Sequence, residues 1–245
     1  MKIAALYDKH GNLPALNAVL HEVDKLDVDL IVVGGDVLLG PMPTQCLDRL
    51  AEIEKPVKYV MGNCDELVID YLKGKKLPNL PQTVIDDIKW TAKQIENSYY
   101  VAVSNWPMTQ DVESDTLGKI LFCHSTPTNH SFNITRLTPE DKLKDEFGEV
   151  VASIIVCGHT HMQFDRMIAD KRAINAGSVG MPFGKRGAYW LLVDNEVKLK
   201  YTSYDFEYAA RQITQTDHPN AESFAKIYVL NPPTEEVMLI SLSKC

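Results

Sequence analysis

The chain has 245 residues, 45% hydrophobic, 24% charged and 8% aromatic, enough for one sizeable core or a core with a small appendage. A formal net charge of −8 and a pI near 5.4 disfavour a stable nucleic-acid partner, because a phosphate backbone demands clustered Lys and Arg. No run approaches the roughly 18 apolar residues of a membrane span, the start turns polar too soon for a secretory leader, and five cysteines without a Cys-x-x-Cys pair fit neither a disulfide framework nor a zinc knuckle. A cytoplasmic enzyme without a membrane role is expected, and small anionic substrates stay open because bound cations reverse the local field.

Apolar runs of strand length alternate with stretches of helical length, the pattern of α/β architecture. A strand at residues 3–7 precedes a helix opened by Pro14, with Leu13, Leu16, Val19, Leu20 and Val23 on one face. A second strand follows at residues 30–33, then a helix after Pro43 carrying Cys46, Leu47, Leu50 and Ile53, and a third strand at 57–61. None of these strands alternates, so both faces should be covered. Residues 66–106 separate two such units by more chain than a crossover needs, and their helix at 82–97 reads as an inserted helical cap. After a strand at 119–123, a helix capped at Thr138-Pro139-Glu140-Asp141 leads to a strand at 152–157. From Gln163 the period changes to two, giving a hairpin of 164–168 with 172–175 and another of 189–193 with 197–201. Residues 205–245 form a helical tail in which Val237 and Ile240 could complete the core or serve a homodimer.

Five strand ends carry chemistry: Asp8-Lys9-His10-Gly11-Asn12, Gly34-Gly35-Asp36, Gly62-Asn63-Cys64-Asp65, His124 and Gly158-His159-Thr160-His161. His-x-His on a turn aims two imidazoles at neighbouring points, and carboxylates, imidazoles and one carboxamide without thiolate suit manganese, iron or zinc. Two ions about 3.5–4 Å apart need a bridging carboxylate, and Asp36, central in the set, is the candidate. Such a pair lowers the pKa of a shared water and clamps phosphoryl oxygens, so phosphoryl transfer to water is the chemistry that fits.

These five blocks, in this order, resemble the calcineurin-like metallophosphoesterase signature. With the Gly-Asn-Cys-Asp form and Asn175-Ala176-Gly177-Ser178-Val179-Gly180, the chain is similar to the class III bacterial and archaeal branch, which includes diadenosine tetraphosphatase-like and phosphodiesterase proteins. The resemblance covers about residues 1–205 and implies a four-layer α-β-β-α sandwich of two mixed sheets. It also implies one ion on Asp8, His10, Asp36 and His161 and another on Asp36, Asn63, His124 and His159, the metals being manganese or iron first, zinc or nickel next. By the same resemblance Asp36, Asn63 and His124 are catalytic, and Asn12 and Asn63 touch substrate phosphate.

Departures from the pattern shape the expectation. Tyr7 stands where Ser is usual and Ser125 where Gly is common, both expected near the mouth of the site. Cys64 replaces the His that protonates the leaving group in many relatives. A thiol titrating at about 8.5 is a poor donor to an alkoxide, so phosphoanhydrides such as diadenosine polyphosphates and nucleotides are the favoured substrates. Asn12 has a second reading as a helix cap, Asp65 as a ligand-orienting group or a cap, and Lys185 with Arg186 as a phosphate-tail contact or a solvated loop. His21, His130 and His218 read as surface residues, His130 being the one close enough to His124 to suspect. A scaffold that keeps the fold to bind a protein or nucleotide is the alternative function, and the complete ligand set speaks against it.

Overall fold

A computed structural model of the chain describes residues 1–147 and 150–243. Its strands are β1 (Ile3–Leu6), β2 (Leu30–Val33), β3 (Val57–Tyr59), β4 (Thr109–Ser114), β5 (Gly118–Cys123), β6 (Ile154–Cys157), β7 (Phe164–Ile168), β8 (Lys171–Asn175), β9 (Ala188–Val193) and β10 (Val197–Thr202). They form two five-stranded mixed sheets, ordered β10-β9-β1-β2-β3 and β4-β5-β6-β8-β7. In the first sheet β1, β2 and β3 run parallel and β9 antiparallel to β1; in the second, β5, β6 and β8 run parallel, with β4 and β7 as antiparallel edges.

The period of the strands explains the layers. Along β1, Ile3, Ala5 and Tyr7 enter a core between the sheets, together with Val32, Phe122, Val156 and Leu191. Ala4 and Leu6 point the other way, into a cluster with Leu16, Val19 and Leu20 of α1 (Leu13–Lys25) and Cys46, Leu47 and Leu50 of α2 (Pro43–Ala51). On the far face of the second sheet, Leu121, Cys123, Ile155 and Cys157 pack under Ile134, Leu143 and Phe147. Four layers result, and β1 is covered on both sides as its uninterrupted apolar run requires.

The stretch between β3 and β4 is helical, with α3 (Asn63–Leu72), α4 (Gln82–Gln94) and α5 (Asn97–Ser104). Val68, Ile69, Ile88, Ala92 and Val103 join the same apolar cluster as α1 and α2, so the insertion extends that helical layer over the first sheet. β4 has no counterpart in the sequence reading: Thr109-Gln110-Asp111-Val112-Glu113-Ser114 is a polar edge strand with Val112 its sole apolar contribution to the core. The helix expected after Thr138 is reduced to a 3-10 turn (Glu140–Lys142) and a single turn, α6 (Lys144–Phe147).

The tail comprises α7 (Phe206–Thr214), α8 (Ala221–Phe224), a π-helical turn (Ala225–Leu230) and α9 (Glu235–Leu242). Phe206, Ala209, Ile213, Phe224 and Val229 form a satellite core with Met42. Leu239 packs on Met162 and Phe183, while Val237 and Ile240 stay exposed.

Candidate metal centre

Parallel strands open their carboxyl ends at one edge, and the five blocks leave the sheets there. Asp8, His10, Asp36, His159 and His161 all adopt positive φ, between 44° and 65°. Non-glycine residues in this region cost about 1–3 kcal/mol each and persist only where the surroundings impose them. Here the backbone imposes them: Asp8 N and His10 N donate to Gly35 O and Asp36 O, and Gly158 N donates to His124 O. Gly35, at φ +90°, has no room for a side chain, since a Cβ would lie 2.7 Å from both Gly62 Cα and His124 Nδ1.

The seven expected ligands converge. Ligand atoms of Asp8, His10 and His161 lie within 4.8 Å of one another, as do those of Asp36, His124 and His159. Asn63 completes the second group, with Oδ1 3.0 Å from His124 Nε2. Asp36 Oδ2 is 3.7 Å from His10 Nε2 and 3.4 Å from His124 Nε2, so one carboxylate faces both groups.

Three imidazoles are oriented by main-chain carbonyls. His10 Nδ1 donates to Leu39 O (3.1 Å), His124 Nδ1 to Gly34 O (2.8 Å) and His161 Nδ1 to Met181 O (2.6 Å), which turns each Nε2 toward the cluster. With Nδ1 carrying the hydrogen in the neutral rings, His10 Nε2 and His161 Nε2 face each other 3.1 Å apart as two lone pairs. Asp8 Oδ2 accepts from His159 N (3.0 Å), yet its Oδ1 is buried without a hydrogen-bond partner among the described residues. Converging lone pairs and an orphaned carboxylate oxygen are costly when buried unless a cation sits among them. The residues therefore fit a metal pair.

Electrostatics agree. Burial drives His10 and His161 below their ordinary values and takes His159 down to about 3, leaving neutral ligands at neutral pH. Burial would lower His124 too, but the Asp36 and Asp8 carboxylates push it up to about 9. Burial raises Asp8 to about 7, whereas the imidazoles of His124, His10 and His159 outweigh burial at Asp36 and hold it well below the carboxylate range.

Supporting residues surround the ligands, and Lys9 among them had no role assigned from the sequence. Lys9 is fully buried beneath the ligands, its Nζ donating to Leu6 O (2.7 Å) and Gly35 O (3.1 Å). Burial pulls its ammonium down to about 8 against the opposing charges of Asp8, Asp65 and Asp36. Asn175 Nδ2 donates to Gly158 O (2.6 Å) and Thr160 Oγ1 (3.1 Å), bracing the His-x-His turn. Asp65 serves both expected roles: Oδ1 accepts from Val37 N and Leu38 N (2.9 Å each), fixing the chain after Asp36, and Oδ2 accepts from Gly62 N (3.3 Å) at the start of α3.

Other expectations need correction. Asn12 is fully buried: Oδ1 caps α1 by accepting from Ala15 N, and Nδ2 donates to Gly180 O and Tyr204 Oη, which commits the amide to the fold instead of a substrate. Tyr7 and Ser125 do not line the mouth. Tyr7 fills the inter-sheet core and donates to Val156 O (3.0 Å), and the Ser125 hydroxyl donates to Phe132 O. Lys185 lies over the Tyr201 ring of β10 and Arg186 over Phe206 of α7, both side chains exposed, so of their two readings the solvated loop is the one the structure supports. His218 is buried at 5% exposure against Trp90 and Asp87.

With this geometry in view, residues 1–198 match the profile of the calcineurin-like phosphoesterase superfamily domain. The chain belongs to that superfamily. It is 28% identical over 239 residues to an uncharacterized protein of Methanocaldococcus jannaschii, covering 89% of this chain and 93% of that one. It is 25% identical over 209 residues to phosphodiesterase YfcE of Escherichia coli K12, covering 80% and 89%. Among solved structures, a hypothetical protein of Pyrococcus horikoshii OT3 superposes with TM-score 0.80 at 20% identity, over 95% of this chain and 99% of that one. A metallophosphoesterase from Sphaerobacter thermophilus superposes with TM-score 0.74 at 21% identity, with the same coverage, and both share the fold.

Proposed function

We propose that the protein is a dinuclear metal-dependent phosphohydrolase that cleaves phosphodiester or phosphoanhydride bonds in small anionic substrates, with diadenosine polyphosphates and nucleotides favoured. Asp8, His10, Asp36 and His161 would hold one ion, and Asp36, Asn63, His124 and His159 the other. Ions so placed would lower the pKa of a water and offset charge developing on the phosphoryl oxygens. The observation that carries the reading is Asp36, whose Oδ2 faces His10 on one side and His124 on the other while Asp8 Oδ1 stands unpartnered beside them.

The chain's own residues prepare this chemistry. Backbone carbonyls orient the imidazoles, Cys64 N holds Asp36 Oδ1 at 2.9 Å, and Lys9 balances the buried carboxylates from beneath. The donor set matches manganese or iron best, with zinc or nickel acceptable. Burial and the Asp36 carboxylate push the Cys64 thiol well above its ordinary value, which makes it a still weaker proton donor than a free thiol and favours leaving groups that depart as stable anions.

The test is to load the protein with manganese, measure bound metal, and follow nitrophenol release from bis(p-nitrophenyl) phosphate alongside hydrolysis of diadenosine tetraphosphate and nucleotides. Two equivalents of metal and metal-dependent turnover are expected. Metal-loaded protein that turns over none of them, while binding a nucleotide, would favour the scaffold alternative.

A further inference from the structure

Cys64 leaves the reading above without an acid for leaving groups that depart as alkoxides. One imidazole outside the ligand set stands beside the helix that begins at Asn63. The segment after His124 closes on itself: Thr126 N donates to Asn129 O (3.0 Å), the Ser125 hydroxyl reaches Phe132 O, and Thr126 and Thr128 hydroxyls both donate to Glu146 Oε2 (2.6 Å). This turn carries His130 back toward α3, where its Nε2 lies 3.0 Å from Glu66 Oε2. Glu66 follows Asn63 by about one helical turn, on the first turn of α3. The His130 side chain is 14% exposed, and its Nδ1 is buried with no hydrogen-bond partner among the described residues. His130 is also near enough to His159 for its charge to bear on that imidazole.

Buried polar atoms without a partner call for one, and a histidine whose Nε2–H is held by a carboxylate presents its other nitrogen for proton transfer. We infer that His130, oriented by Glu66, is the proton donor to the leaving group in this protein, doing from the segment after β5 what Cys64 cannot do from α3. The inference rests on the hydrolase reading and deepens it. As a water oxygen bonds to phosphorus and the bond to the leaving oxygen breaks, that oxygen takes the proton from His130 Nδ1. The attacking water gives its proton to solvent, and the neutral imidazole, still donating Nε2–H to Glu66, regains a proton on Nδ1 from water that enters as the products leave. His130 is then a catalytic residue and Glu66 a positioning residue, and alkyl phosphodiesters join the anhydrides as substrates.

Two esters with the same thymidylate phosphoryl group separate the roles: thymidine 5′-(p-nitrophenyl phosphate), which releases a stable phenolate, and the dinucleotide thymidylyl-thymidine, which releases an alkoxide. His130→Ala is expected to slow the dinucleotide about 100-fold and the nitrophenyl ester far less, so that the ratio of the two rates falls at least about tenfold with metal content unchanged. Glu66→Gln should move the ratio in the same direction by less. In zinc-loaded protein, inorganic phosphate should shift the His130 Nδ1 resonance in a histidine-labelled NMR spectrum. Equal losses on both esters, no loss on the dinucleotide, or a phosphate-insensitive His130 resonance would each overturn the inference while leaving the hydrolase reading in place. Wild-type protein that, metal-loaded, cleaves neither ester nor bis(p-nitrophenyl) phosphate would instead defeat that reading and carry this one down with it.

Discussion

The floor and the rim of the site are built by different means. The floor hangs from strand ends: its ligands are buried, its imidazoles are pinned by main-chain carbonyls, and five of its residues are locked into left-handed backbone by hydrogen bonds between loops. The rim is side chain against side chain, with Glu66, half exposed on α3, meeting His130 on the segment after β5. Backbone scaffolding preorganises a fixed constellation, whereas a rim of paired side chains can be exchanged without disturbing it. On this reading the metal chemistry would belong to the family's fold, and the leaving-group chemistry to this chain.

Asp36 carries the largest expected effect. Asp36→Asn is expected to lower turnover of bis(p-nitrophenyl) phosphate by at least about 10³-fold with an unchanged circular dichroism spectrum, because one substitution weakens both ligand groups. Asn63→Ala, which touches one group, should lose about 10²-fold. Near-normal rates in either variant would mean that the floor is not the reaction centre. Asn175→Ala tests the support beneath the ligands: loosening the Gly158-to-His161 turn should weaken metal binding by about 10–100-fold, read by calorimetry, and an unchanged affinity would show the turn to be self-supporting.

The protonation states sharpen the picture further. In metal-free protein His124 is held up at about 9 and so carries a proton at pH 7 that a metal on Nε2 must displace. Manganese binding should release close to one proton from this group and, near pH 7, part of a second from Asp8, so that affinity should rise by at least about tenfold per unit between 7 and 9. Calorimetry in buffers of different ionisation enthalpy measures this, and binding without proton release would contradict the arrangement. The smallest effect is reserved for Asn12→Ala, which removes the cap of α1 and should cost about 1 kcal/mol of stability in thermal unfolding, with the KM for nucleotide substrates unmoved. A raised KM at unchanged stability would restore Asn12 to the substrate.

The convergence of the candidate ligands was legible because each follows an apolar strand, and strand ends of a parallel sheet gather at one edge whatever the loops do. Both hairpins and the uninterrupted β1, β2 and β6 were legible for the same reason of period. β4 was not, since an exposed edge strand made of Thr, Gln, Asp, Glu and Ser has almost no apolar pattern to read. Lys9 was invisible because nothing local says that a lysine between two ligands will be sealed under them and bonded to carbonyls. Asn12 kept two readings until burial chose the cap, and Tyr7 looked like a mouth residue until its ring filled the gap beside Gly34 and Gly158. The His130–Glu66 contact joins two segments far apart in sequence, with a charge pattern that elsewhere would mean only solvent exposure.

Whether Asp36 joins two cations held by the strand-end residues is decided by anomalous diffraction from crystals grown with manganese. Two anomalous peaks about 3.5–4 Å apart, with Asp36 contacting both, Asp8, His10 and His161 on one and Asn63, His124 and His159 on the other, are the predicted result. A single peak, or manganese bound away from these residues, would contradict that arrangement.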